Sequence, residues 1–106
     1  MSMVRYRFHT TVTLGRFNDA LTWARALNVD AKKNGWPESR MMSAFGPVNH
    51  LILESDYPDL ASYEKQQNEF FASAAAMKTF RSGIDLNAPG THPWDEIEIS
   101  IDEDLA

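Results

Sequence analysis

The chain contains no cysteine, which excludes disulfides, thiolate nucleophiles, iron–sulfur clusters and cysteine-ligated zinc, and leaves the redox compartment open. No apolar run approaches the ~18 residues that a membrane-spanning helix needs, and the opening MSMVRYRFHT lacks the long apolar core of a secretory signal. No membrane partner is expected, and a cytoplasmic location is the default. Lys and Arg do not cluster, and the net charge is −5 at pH 7. The counterion release that drives nucleic-acid binding therefore has little to act on, and nucleic acid is not an expected partner. Gly/Ser linkers, internal repeats and composition shifts are also missing, so residues 1–106 read as a single domain.

A hydrophobic content of 43% with 24% charged residues is ordinary for a globular protein. A chain of this size buries only about 60 to 65% of the surface its unfolded form exposes, so its own core is modest and an oligomer adds useful burial.

Val4 to Leu14 alternates strictly, with Val4, Tyr6, Phe8, Thr10 and Val12 on one face and Arg5, Arg7, His9, Thr11 and Thr13 on the other. That is the pattern of a strand. Gly15 breaks it, and Arg16 to Asn34 sets Phe17, Ala20, Leu21, Ala24, Leu27 and Ala31 in one helical stripe, with Trp23 at its edge. Asn34-Gly35 and Pro37 supply the stop.

Gly46-Pro47 carries turn chemistry, so the flanking runs Glu38 to Phe45 and Val48 to Asp56 read as a β-hairpin. A second helix starts near Pro58, where Pro suits a first turn and Asp59 suits the positive end of the helix dipole. Its buried stripe is Leu60, Tyr63, Gln67, Phe70, Phe71 and Ala74. Ser73 to Ser82 continues as helix with the stripe moved to Met77 and Phe80, which predicts a kink or break at Ala72 to Ala75 and Gly83 as the terminator. Ala88 to Pro93 is a loop by composition. Trp94 to Ile101 alternates Ile97, Ile99 and Ile101 against Glu96, Glu98 and Ser100 as a last strand, before a frayed acidic tail, Asp102-Glu103-Asp104.

The order β-α-β-β-α-β predicts an α+β fold, a ferredoxin-like antiparallel sheet with strand one between strands three and four and both helices on one face. The opposite face is left bare, and closing two such sheets on each other as a homodimer covers it.

The segment FGPVNHLILESDYPDLASYEK resembles the Gly-Pro-x-Asn turn, aliphatic strand and Leu-Ala-x-x-Glu helix start of NIPSNAP-type domains, through Gly46, Pro47, Asn49, Tyr57, Leu60, Ala61 and Glu64. Those domains belong to the dimeric α+β barrel superfamily, which also holds antibiotic-biosynthesis monooxygenase-like and muconolactone-isomerase-like families. The resemblance implies paired protomers whose sheets form a barrel, with a pocket inside it or between each sheet and its helices. It does not imply one reaction, because the superfamily spans cofactor-free oxygenases, isomerases and haem-handling proteins, and fold does not determine function.

With the apolar phases packed on the helices, the barrel-facing set is Arg5, Arg7, His9, His50, Glu54, Glu96 and Glu98, with Met42 and Ile52 among them. One reading makes these cross-strand ion pairs that specify an interface. A sharper one makes His9 and His50 a general acid/base pair and Arg7 the stabiliser of an anion or enolate, with Glu54 and Met42 beside the ligand. Tyr63 and Gln67, one turn apart on the second helix, are candidate ligand contacts from the helical side. A metal set of His9, His50 and Glu54 is disfavoured because residues 50 and 54 lie about 13 Å apart along a strand. His92 in its Pro/Gly loop is either solvated or at a pocket edge, and Trp23, Trp36 and Trp94 are core or rim aromatics before they are ligand contacts. No cofactor is expected. The expected function is a cofactor-independent oxygenase or isomerase acting on a small aromatic or polyketide-like molecule; the alternative is a non-catalytic dimeric small-molecule-binding or accessory module.

Overall fold

In a computed structural model, which describes residues 3–43 and 49–101, the alternating N-terminal run forms strand β1, Val4–Thr11. Helix α1, Phe17–Asn34, follows, and Gly35 ends it at φ 72°, the left-handed conformation that glycine adopts without strain. Strands β2, Arg40–Ser43, and β3, His50–Tyr57, come next. Helices α2, Leu60–Ala72, and α3, Ala74–Arg81, then a 3-10 turn, Ile84–Leu86, and strand β4, Trp94–Ile99, complete the chain. The sheet order is β2-β3-β1-β4 and every pairing is antiparallel. This is the expected ferredoxin-like topology. The Gly46-Pro47 turn, the acidic tail and the turn-side ends of the predicted hairpin strands lie outside the described residues.

The core joins Leu51 and Leu53 of β3 and Val12, just past β1, to Ala20, Trp23 and Ala24 of α1 and Leu86 of the 3-10 turn. Phe80 of α3 meets Phe8 and Trp23, and Tyr63 of α2 meets Tyr6 and Tyr57. All three helices therefore lie over the even-numbered phase of β1.

Several boundaries and burials differ from the sequence reading. Strand β1 stops at Thr11, because Val12 makes a separate bridge to Asn87 and Leu14 stands in the turn, 75% exposed. Helix α2 starts at Leu60, since the Asp59 side chain accepts from the Ser62 N–H and caps it from outside. Ser73 divides α2 from α3 within the predicted break, and its hydroxyl caps α3 by accepting from the Ala76 N–H. The α2 stripe is only partly covered: Leu60 and Phe71 are exposed and none of the helix's residues is fully buried. Trp23 lies in the core, its indole N–H donating to the carbonyls of Thr79 and Phe80, because position 23 is one turn from Ala20 and faces α3. Gly83 does not end α3 by a left-handed turn; its φ is −104°. A Cβ there would lie 2.5 Å from the Trp23 ring, so its role is close packing. Ile97 and Ile99 point to the helical side yet remain about half exposed, because the helices leave this edge strand open.

Candidate functional site

Cross-strand register gathers the polar phases onto one face. Arg7 lies opposite Glu54 on β3 and Glu96 on β4, Arg5 opposite Asp56 and Glu98, and His9 opposite Ile52 and Trp94. On the outer strand, Arg40 lies opposite Glu54 and Met42 opposite Ile52.

Glu54 is the hub, 5% exposed. Its carboxylate accepts from Arg7 Nε at 2.7 Å, from Arg40 Nη2 at 2.6 Å and from Arg40 Nε at 3.0 Å. Burial acts to raise its pKa, but the hydrogen bonds from Arg40 and Arg7 outweigh burial and hold it below the ordinary carboxylate value. Arg7 is further occupied by Glu96 and Glu98, so carboxylates on both sides compensate its charge. Asp56 accepts from Arg5 and Arg40, which lower its pKa in turn.

Beside this network runs a row of proton-carrying groups. Nε2 of His9 is 3.0 Å from Oε1 of Glu96, and Nδ1 of His9 is 2.9 Å from Nε2 of His50. Ionised Glu96, whose pKa the His9 hydrogen bond lowers, can only accept. The proton on His9 is thus fixed at Nε2, and neutral His9 presents Nδ1 as an acceptor. His50 then donates through Nε2 and keeps its lone pair at Nδ1. In this geometry a proton added at Nδ1 of His50 would be relayed to Nδ1 of His9 by release of the Nε2 proton, forming an imidazolium against Glu96. Burial and the neighbouring His9 lower the pKa of His50, which keeps it neutral, with a lone pair available, at the cost of some basicity. The Trp94 indole stacks on His9 with ring centroids 3.6 Å apart and planes 5° from parallel.

The candidate residues fall on two sides of the sheet. His9, His50, Arg7, Glu54 and Met42 share the polar face, and there the two imidazoles meet directly. Glu54 takes no place beside them: it is enclosed by arginines, and among the described residues no group of three His, Asp or Glu side chains is arranged to hold a metal ion. Gln67 lines a cleft of about 110 Å³ between the sheet and the helices, and Tyr63 lies nearby against Tyr6 and Tyr57. Burial pushes the Tyr57 phenol up to about 12, and its hydroxyl donates to Gln66. His92 borders a second cavity of about 400 Å³ beneath the loop that follows the 3-10 turn. Asn87 shapes that loop, accepting from Thr10 and donating to the Thr91 carbonyl.

Sequence reasoning placed Glu96 on the right face but missed its link to His9, and it missed Arg40, Asp56 and the stacked Trp94. Strand order together with period-two phasing was the signal for Glu96 and Trp94.

No protein-family model matches the sequence, and no curated protein matches it. Solved structures do match its fold. One is a NIPSNAP family protein of unknown function from Agrobacterium tumefaciens, with 13% identity over 92% of this chain and 87% of that one, at a TM-score of 0.74. A NIPSNAP-like domain protein from Burkholderia xenovorans gives 11% identity, 93% and 85% coverage and a TM-score of 0.73. An antibiotic biosynthesis monooxygenase gives 8% identity, 92% and 98% coverage and 0.69. The fold is the ferredoxin-like α+β fold that these NIPSNAP-like and monooxygenase structures share. At these identities the likeness extends to the backbone architecture, which NIPSNAP-like and monooxygenase-like proteins share. Among the described residues no helix is long and apolar enough to cross a membrane.

Proposed function

We propose that the chain acts as a homodimer, its polar sheet faces opposed, and that the Glu96–His9–His50 row moves a proton on a small aromatic or polyketide-like molecule. The observation that carries this reading is the row itself: two imidazoles 2.9 Å apart, anchored by a carboxylate 3.0 Å away. Structural ion pairs alone do not call for such an arrangement. A histidine base held neutral near physiological pH suits a substrate with an acidic C–H or phenolic proton. The resulting carbanion or phenolate either regains a proton at another atom, which is isomerisation, or reacts with O₂, which is oxygenation. Both begin with the same transfer and neither requires a cofactor. Trp94 offers an aromatic surface next to His9, and Arg7, with its charge already compensated, acts as a positioning residue for Glu96.

The test combines light scattering with ligand-induced thermal shifts across a panel of phenols and β-dicarbonyl compounds. A dimer with a ligand response that His50→Ala abolishes, while the dimer persists, supports the proposal. A monomer at micromolar concentration removes its basis.

The second reading, a non-catalytic dimeric binding or accessory module, is favoured by the saturation of Arg5, Arg7 and Arg40 by carboxylates. On that reading no panel member shifts the wild type, and His9→Ala and His50→Ala both weaken the dimer.

A further inference from the structure

On the opposite side of the sheet, the cleft of about 110 Å³ is walled by Phe8, Trp36, Tyr57, Phe70 and Phe80 and includes Asp30 of α1. Its other polar groups are largely paired with one another. The Asn28 amide donates to the Ser39 carbonyl and accepts from the Ser39 N–H, at 2.9 and 2.8 Å. The hydroxyls of Ser39 and Ser55 are 3.0 Å apart. Asp30 is the exception: Oδ2 is buried and has no hydrogen-bond partner among the described residues.

A buried carboxylate oxygen without a donor is costly, and a charged donor relieves it best. Aromatic faces attract cations as well, and more strongly where water is excluded. Carbon-rich walls also favour the methyl groups of an organic cation over a hydrated metal ion, which would surrender its water for few replacements. The net charge of −5 adds a long-range attraction of the same sign. We infer that this cleft binds a small organic cation, an alkylammonium group whose alkyl groups meet the aromatic walls and whose N–H meets the Asp30 carboxylate after a turn of that half-buried side chain brings Oδ2 to the cleft. The volume is below that of the roughly 150 Å³ cavity that admits benzene, so the buried part of the ligand is a group of about four or five heavy atoms. The site is independent of the imidazole row.

The experiment titrates the full chain with trimethylammonium chloride and follows the Trp36 indole and Asn28 side-chain amide signals by NMR. The expected result is a saturable shift of both signals with a Kd on the order of 1 mM, a reasonable strength for so small a ligand. tert-Butanol, similar in shape but uncharged, should bind at least tenfold more weakly. Asp30→Asn should weaken the ammonium at least tenfold, and Phe70→Leu, which keeps the apolar filling but removes a π-face, should weaken it several-fold without affecting the alcohol. His50→Ala should leave binding unchanged. Equal binding of the ammonium and the alcohol overturns the inference. So does full affinity in Asp30→Asn, or shifts confined to Glu96 and Glu98 on the polar face. Should Asp30→Asn fail to fold, an unchanged ammonium affinity in Phe70→Leu also overturns it.

Discussion

Nε2 of His50 lies 2.9 Å from Nδ1 of His9, and the two rings meet edge to face at 86°. A nitrogen lone pair on one ring thus points at the N–H of the other, which is the geometry for passing a proton along the sheet face.

Burial of His50, reinforced by that contact, should make the fold acid-sensitive below neutrality. The pKa of His50 lies below its ordinary 6.5 in the folded state, because burial and His9 disfavour its charge. The unfolded chain therefore takes up the proton first. Stability attributable to His50 is present above about pH 6.5 and is lost as pH falls from there toward the folded-state value. In ¹H–¹⁵N NMR titrations the His50 ring should show a midpoint below 6.5. A midpoint above 6.5 would contradict the placement of the ring. A second loss of stability, from Glu54 and Asp56, should follow below about pH 4.5, since both pKa values are lowered in the fold.

Glu54→Gln keeps the shape of the hub and removes its charge. Arg7 and Arg40 are then left facing an amide, with the Arg7 side chain only 20% exposed. The expected cost is about 2 kcal/mol, below that of a fully buried pair because Arg40 retains water. Urea denaturation measures it, and a change within a few tenths of a kcal/mol would show the network to be solvated decoration.

Gly83→Ala should destabilise by about 1 to 3 kcal/mol, the usual range for overpacking a core. Its new methyl group would meet the Trp23 indole at 2.5 Å. Trp23 fluorescence should shift with it, because the ring must move away from the carbonyls of Thr79 and Phe80.

Ser73→Ala removes the side-chain acceptor for the Ala76 N–H and should cost about 1 kcal/mol. Hydrogen exchange should accelerate at the start of α3 while the amides of β1 stay protected. Uniform acceleration would instead mean that α3 unfolds only together with the sheet.

Period-two patterning is a property of the backbone alone, so the segregation of Arg7, His9 and Glu96 from Tyr6, Phe8 and Ile97 was readable before any coordinates. Strand order followed from the sequence of elements. Connectivity within the polar face was less readable: Glu54 was visible as a carboxylate among arginines, but its service to both Arg7 and Arg40 depends on where the short β2 pairs. Helix coverage was the least readable. Phe71 fits the α2 stripe by spacing and is 67% exposed, whereas Trp23 sits near the edge of its stripe by spacing and is buried. Both outcomes depend on how closely the helices approach one another, which local periodicity does not encode. Asp30 gave no sequence signal, since an acidic residue on an amphipathic helix is ordinarily solvated.

The pairing of Arg7 with Glu54 on one side and Glu96 on the other also bears on assembly of the sheet from the unfolded chain. A slip of β3 by one residue would set Arg7 against Leu53 or Ser55, and a slip of β4 would set it against Asp95 or Ile97. Each slip sends the chain's apolar side chains to the wrong face, and all but the one that brings Asp95 opposite Arg7 also separate opposite charges. The two-sided ion pairs thus act as an alignment key that favours the native register over most one-residue slips.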